Sequence, residues 1–341
     1  MRAIVFEKPC EASDLKIKNW KKPKVSNDNV LINVKCFGLN FADIMARKGL
    51  YKDAPPMPFV CGYEVSGIIE ELGENVRTLK KGDKVLALVE FGGYAEYALT
   101  KEKACFKLPD NMTFAQGASI PVNFLTAYHS IYGTGYVNEN DFILIHAVAG
   151  GVGLAALQLS KIQNLKTIGT ASSRKKLELA KNYGLDYGID YIVYDFEKEV
   201  NRITDKKGVE IILDSIGGNN IKKGINILKT GGRIVCFGVS SLSERRFSKL
   251  PFMLKDIIPM FALNIIPLLL NSKGIYGVNM LHLARDRQDL IVSYMNKILK
   301  LFSENRLKTI ISEEFSWTEI SKAHKLMEER KTTGKIILHI D

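Results

Sequence analysis

His146 to Gly153 read HAVAGGVG, with three glycines inside four residues. Such a stretch either turns the backbone tightly or lets a charged group approach amides that side chains would shield. The flanking text bears on the choice. The apolar run "DFILI" precedes it, and "LAALQLSKIQ" follows with apolar positions at helical spacing. Glycines between a buried strand and a helix start bring free N–H groups and the positive end of a helix dipole together, which suits a pyrophosphate. The spacing is G-G-x-G, not G-x-G-x-x-G, and the rival reading is a turn that binds nothing. The next strand ends in "KTIGTASSRKK". No Asp or Glu stands there to bond a ribose 2′-hydroxyl. Hydroxyls and cations stand there instead, which suits a 2′-phosphate, although a solvated basic helix start would read the same way. Gly150, Gly151, Val152 and Gly153, with Ser172, Arg174 and Lys175, are therefore read as a site for NADPH in preference to NADH.

Other reactive residue types are sparse. His146 closes the first strand and is read as a packed histidine, as are His129 and His324 on helical text. The five cysteines, Cys10, Cys36, Cys61, Cys105 and Cys236, form no C-x-x-C pair. That argues against a zinc ribbon or redox pair and suits a reducing compartment, so a cytoplasmic location is expected.

The elements that must position these groups change character along the chain. Up to about Phe124 the text is β-rich: "NVLINVKCFGLN", "GYEVSGIIEELG", "GDKVLALV" and "GGYAEYAL" lie between Gly, Asn and Asp turns. Short strands so closely spaced suggest a small barrel or sandwich. Strands and helices then alternate through "DFILI", "KTIGTAS", "VEIILDSIGG", "GGRIVCFGVSS" and "KGIYGVNM". That alternation predicts an α/β doubly wound parallel sheet with helices on both faces. Helical text resumes in "DLIVSYMNKILKLFSEN", and the chain ends on the strand "GKIILHID". At 341 residues two domains are expected. Lys and Arg number 48 against 37 Asp and Glu, a net +11, but the surplus is spread out and no nucleic-acid reading motif appears. The apolar stretch Ile257–Leu270, with two prolines inside, is too short to span a bilayer.

These pieces, together with "GLNFADIMARKGLY", "LTAYHSI", "GLDYGIDY" and "TTGKIIL", resemble the medium-chain dehydrogenase/reductase superfamily, quinone oxidoreductase type. Within it, "DSIGGNNIKKGINILKTGGRIVCFG" resembles the branch named after vesicle amine transport protein. The resemblance implies a GroES-like β-rich catalytic domain over 1–123 and 284–341 and a Rossmann domain over 124–283. It implies hydride transfer from NADPH to a quinone or activated enone. Zinc-dependent members place a Cys and a His at the positions of Asn40 and Tyr63, and neither residue suits as the missing ligand, so a zinc-independent reaction is expected.

The resemblance also implies individual roles. Asn40 would face the nicotinamide ribose or the substrate, with an N-cap as its rival role, and Asp43 is read between function and a cap. Tyr51 matches a proton-donating tyrosine of related enoyl reductases, with a plain surface tyrosine as the alternative. Thr126 would contact the cofactor, Tyr191 would stack near the adenosine phosphate, and Arg330 would be a late cation near the same ligand, with a solvated arginine as its rival reading. Phe237 would line the nicotinamide side at a strand's carboxyl end, with a plain core Phe as the rival reading.

Two other functions stay open: an enoyl-thioester reductase, and an NADPH-binding structural or regulatory protein with little turnover. The expected partners are a small-molecule electron acceptor and a second copy of the chain, with no nucleic acid. The homodimer would join through the edge strand in "SKGIYGVNM". Peripheral membrane contact through 257–270 is the less favoured use of that segment.

Overall fold

The computed structural model describes residues 1–240 and 265–341. The chain divides into two compact units, Met1–Leu125 with Met280–Asp341, and Thr126–Asn279. In chain order the strands of the first unit are β1 (Arg2–Phe6), β2 (Ile17–Asn19), β3 (Asn29–Leu39), β4 (Phe59–Val60), β5 (Glu64–Leu72), β6 (Lys84–Leu88), β7 (Tyr97–Lys101) and β8 (Cys105–Lys107). Those of the second are β9 (Phe142–Ile145), β10 (Lys166–Ala171), β11 (Tyr187–Asp190), β12 (Val209–Asp214), β13 (Leu228–Cys236) and β14 (Gly274–Gly277). From the chain's end, β15 (Ile311–Ser316) and β16 (Lys335–His339) return to the first unit.

The first unit is built on a seven-stranded sheet ordered β15-β16-β3-β5-β6-β8, with β7 also pairing β3. The order explains why both ends of the chain are needed. β16 pairs antiparallel with β3, setting Ile336 opposite Leu39 and His339 opposite Cys36. A second, three-stranded sheet, β2-β1-β4, completes it. Phe6, Phe37, Tyr94, Ile69 and Trp317 form part of one buried core in this unit.

In the second unit all sheet pairs among the described residues are parallel, in the order β11-β10-β9-β12-β13-β14. Counted from its own first strand this is 3-2-1-4-5-6, the doubly wound dinucleotide-binding order. β9 and β12 are neighbours, so the winding reverses between them, and in such sheets ligands lie beyond the carboxyl ends of the strands at that reversal. Ile143, Leu144 and Ile145 of β9 are fully buried, as covering on both faces requires.

Some elements differ from the sequence reading. β11 and the helix Phe196–Ile203 lie where the sequence reading placed no element. β11 has only four residues, one of them Gly188, and it forms a sheet edge with Tyr187 exposed, so it lacks a buried strand's apolar run. β15 and the helix Ile320–Glu328 were likewise unread. The apolar stretch 257–270 falls partly outside the described residues. Its last six, Ile265–Leu270, form a helix that exposes Ile265, Ile266, Leu269 and Leu270. No helix among the described residues is long and apolar enough to cross a membrane.

Candidate functional site

The second unit gathers most of the nucleotide-binding candidates. β9 ends at Ile145, and the chain turns through Ala147, which has a left-handed φ of 50°. Gly150 then caps the helix α4, Gly151–Ile162. Among the described residues no side chain caps this helix, so its first N–H groups have no intrahelical or side-chain acceptor there. Gly150, Gly151 and Val152 are part-exposed, while Gly153 is buried. The glycines thus have different reasons to be glycine. A Cβ on Gly153 would lie 2.5 Å from the Val148 carbonyl oxygen and 2.7 Å from that of Ala147. Gly153 lets the helix start pack on the preceding loop, and the half-exposed amides before it are the ones an anion can reach.

At the carboxyl end of β10, Ser173 caps the helix α5, Arg174–Lys181, its hydroxyl accepting from the Lys176 N–H at 3.4 Å. Ser172 is part-buried, and Arg174 and Lys175 are exposed. β11 ends beside them, because Asp190 pairs with Ala171 and the Tyr191 N–H donates to the Ala171 carbonyl at 3.1 Å. Tyr191 is 41% exposed. The structure therefore brings Ser172, Arg174, Lys175 and Tyr191 to one strand-end corner, one strand removed from the glycine loop.

Phe237 follows β13 and is half-buried, its N–H donating to the Asp214 carbonyl at 3.0 Å. The buried Asp214 side chain accepts from the N–H groups of Ile216 (2.7 Å) and Gly217 (3.1 Å), closing the turn after β12. His146 is buried, with Nδ1 3.0 Å from the Thr170 hydroxyl and its ring edge-on to Phe196 at 4.8 Å. Burial holds its pKa below the usual histidine range, so it sits here as a neutral, packed ring. Thr126 lies on the helix Pro121–Tyr128 and is only 5% exposed, so it offers a ligand little surface.

Asn40, Tyr51 and Arg330 belong to the first unit. Arg330 is half-buried with a left-handed φ of 53°, two residues beyond the helix Ile320–Glu328. Asn40 caps the helix α1, Phe41–Arg47, and its N–H donates to Asp43 Oδ2 at 2.7 Å. Asp43 is fully buried and also accepts from the Tyr94 hydroxyl (2.7 Å) and the Cys61 thiol (3.3 Å). Burial pushes its carboxyl up to about 6, against the pull of these donors. Asp43 is thus a buried helix-start anchor.

The Asn40 side chain is held as firmly as its backbone. Its Nδ2 donates to Glu64 Oε1 at 2.9 Å, and its Oδ1 accepts from Lys335 Nζ at 2.6 Å. Lys335 is also ion-paired with Glu64, whose Oε2 accepts from the Val122 N–H at 2.8 Å. The sequence reading assigned no role to Glu64 or Lys335. The available signal was a charged residue opening the apolar strand "KIILH". Tyr51 stacks edge-on against Tyr63, 6.0 Å between centroids, and burial pushes its phenol up to about 12. It stays protonated at neutral pH, as a hydrogen-bond or proton donor must. Among the described residues no cluster of three or more His, Cys, Asp or Glu side chains could hold a metal ion.

Comparison with known proteins agrees with this layout. Residues 26–110 match the alcohol dehydrogenase GroES-like domain, and residues 151–289 match the zinc-binding dehydrogenase family model. The chain is 35% identical over 317 residues to a synaptic vesicle membrane protein VAT-1 homolog of Danio rerio, covering 93% of this chain and 65% of the relative's length. The solved human VAT-1 homolog-like protein superposes with a TM-score of 0.86 at 30% identity, covering 100% of this chain and 98% of that one. Escherichia coli quinone oxidoreductase, solved in complex with NADPH, gives 0.87 at 25% identity, covering 99% and 100%.

Proposed function

This chain belongs to the medium-chain dehydrogenase/reductase superfamily, close to VAT-1 homologs and quinone oxidoreductases, and from that premise we propose an NADPH-dependent reductase of quinones or activated enones that works without zinc. The observation that carries the cofactor reading is the corner where Ser172, Arg174, Lys175 and Tyr191 meet, beside a helix start with free amides. Gly150, Gly151 and Val152 would hold the pyrophosphate through backbone N–H groups. Ser172, Arg174 and Lys175 would hold the 2′-phosphate, with Tyr191 beside them. A quinone oxidoreductase of the same fold, solved with NADPH, supports the choice of cofactor. Bound NADPH would supply a hydride.

We assign 124–283 to nucleotide binding and 1–123 with 284–341 to the reacting end. There Asn40 orients the nicotinamide ribose or acceptor. The protonated Tyr51 phenol donates a hydrogen bond or proton to the reduced acceptor. Phe237, Thr126 and Arg330 are assigned lesser contacts. The ion pair of Lys335 with Glu64 beside Asn40 supports the zinc-free reading, because an ammonium already neutralises the carboxylate. Free, scattered cysteines support a reducing compartment, hence the cytoplasm.

A second copy of the chain would extend the sheet through β14. This strand pairs with β13 on one side, and just past its end the Val278 N–H donates to the Cys236 carbonyl. By alternation Ile275 turns its N–H to the outer edge.

The test is an acceptor panel of quinones, enones and enoyl thioesters, followed by the loss of NADPH absorbance. Turnover with quinones or simple enones is the expected result. Preference for the enoyl thioester would install the alternative reductase, and tight NADPH binding without consumption would install a structural role.

A further inference from the structure

We propose that Lys335 and Glu64 are positioning residues that lock the Asn40 carboxamide in one orientation for the nicotinamide end of the cofactor. The inference rests on the assignment of Asn40 above.

The two ends of an Asn side chain are nearly the same size, so packing alone chooses poorly between them. Charge chooses well. Here the ammonium of Lys335 faces Oδ1, and the carboxylate of Glu64 faces Nδ2. Turning the amide over would point N–H groups at an ammonium and an oxygen at a carboxylate. The anchors are deeply set, with Lys335 2% and Glu64 0% exposed, so solvent does not weaken this preference. They come from separate elements: Asn40 caps α1, Glu64 opens β5, and Lys335 opens β16 at the far end of the chain. The backbone makes room for them. A Cβ on Gly38 would lie 2.6 Å from both Glu64 Oε1 and Lys335 Cε, and 2.7 Å from the Ala118 carbonyl oxygen.

A buried ion pair is a poor device for stability alone, because a matched apolar pair usually does as well or better. Orientation of a third, polar group is something an apolar pair cannot supply. With one Nδ2 hydrogen and one Oδ1 lone pair committed to the anchors, Asn40, itself 8% exposed, would have one N–H and one lone pair left for a ligand.

The test compares two ligands on four proteins: the parent, Lys335→Met, Glu64→Gln and the double variant. One ligand is NADPH and the other is 2′,5′-ADP, which carries the adenosine half with its 2′-phosphate but no nicotinamide. Affinities come from fluorescence or calorimetric titration, and melting temperatures are measured alongside. Lys335→Met should lose at least tenfold in NADPH affinity while 2′,5′-ADP stays within twofold of the parent. The double variant removes both charges, so it should recover melting temperature without recovering the NADPH-specific loss. Unchanged NADPH affinity in Lys335→Met, equal loss of both ligands, or joint recovery of stability and NADPH affinity in the double variant would each overturn the proposal. If Lys335→Met does not fold, the double variant decides by the same comparison. A parent that binds neither ligand would instead refute the cofactor assignment itself.

Discussion

Replacing Gly153 by Ala adds one methyl group where the structure has no room. The new Cβ would stand 2.5 Å from the Val148 carbonyl oxygen and 2.7 Å from that of Ala147. Ordinary non-bonded contact begins at roughly 3.5 Å, so the first turn of α4 or the loop before it must give by about 1 Å. Both neighbours are backbone atoms and cannot swing aside as a flexible side chain would. Overpacking of this kind costs about 1–3 kcal/mol. In a unit of this size each kcal/mol lowers the melting temperature by about 2–4 °C, giving a loss of roughly 2–12 °C. Displacing the amides that would hold the pyrophosphate should also weaken NADPH binding by more than tenfold. Gly150→Ala is the control. Its Cβ would meet the Ala147 oxygen at 3.2 Å, a few tenths of an ångström inside ordinary contact, and Gly150 already has a φ of −78°, so it should lose less melting temperature than Gly153→Ala. Calorimetry and NADPH titration of both variants check this. A Gly153→Ala protein that melts and binds like the parent would refute the reasoning.

Arg174→Ala with Lys175→Ala should narrow the preference for NADPH over NADH several-fold while leaving NADH affinity unchanged, as paired titrations can read; an unaltered ratio would remove these cations from the site. His324 is fully buried, and burial with the Arg47 charge holds its pKa well below the ordinary value. Its stabilising contribution is therefore complete above the ordinary histidine range and is lost as pH falls and the unfolded chain takes the proton. Asp43, whose carboxyl is raised to about 6, acts in the opposite sense, so the comparison is between the parent and His324→Leu, which should lose less stability than the parent between pH 7.5 and 5.5. Ile275→Pro removes an outward N–H from β14 without removing a bond to β13, and should shift a dimer toward monomer in sedimentation; an undisturbed dimer would place the interface elsewhere.

The doubly wound half was legible because its constraints are local. A strand buried on both faces must read as an apolar run, and a helix start packed tightly on the loop before it must read as glycine, so "DFILI" and "GGVG" located β9 and α4 directly. β11 escaped notice because a four-residue edge strand with a glycine has no buried run to show. Gly153 was read as a ligand-facing glycine, and its packing against Val148 and Ala147 could be seen only in three dimensions. The setting of Asn40 was least legible. Asn40 and Lys335 are 295 positions apart, and nothing local to either residue announces that β16 will bring them together. His146 shows the converse: a histidine beside a glycine loop invites a catalytic reading, but burial and the Thr170 contact account for it as packing.

We propose that the β10 strand end selects a 2′-phosphate. The most direct test is a pair of calorimetric titrations of the unmodified protein, with NADPH and with NADH under the same conditions. NADPH should bind at least tenfold more tightly, because two or three charge-assisted bonds to the phosphate should contribute more than about 1.4 kcal/mol. Equal affinities, or a preference for NADH, would contradict it.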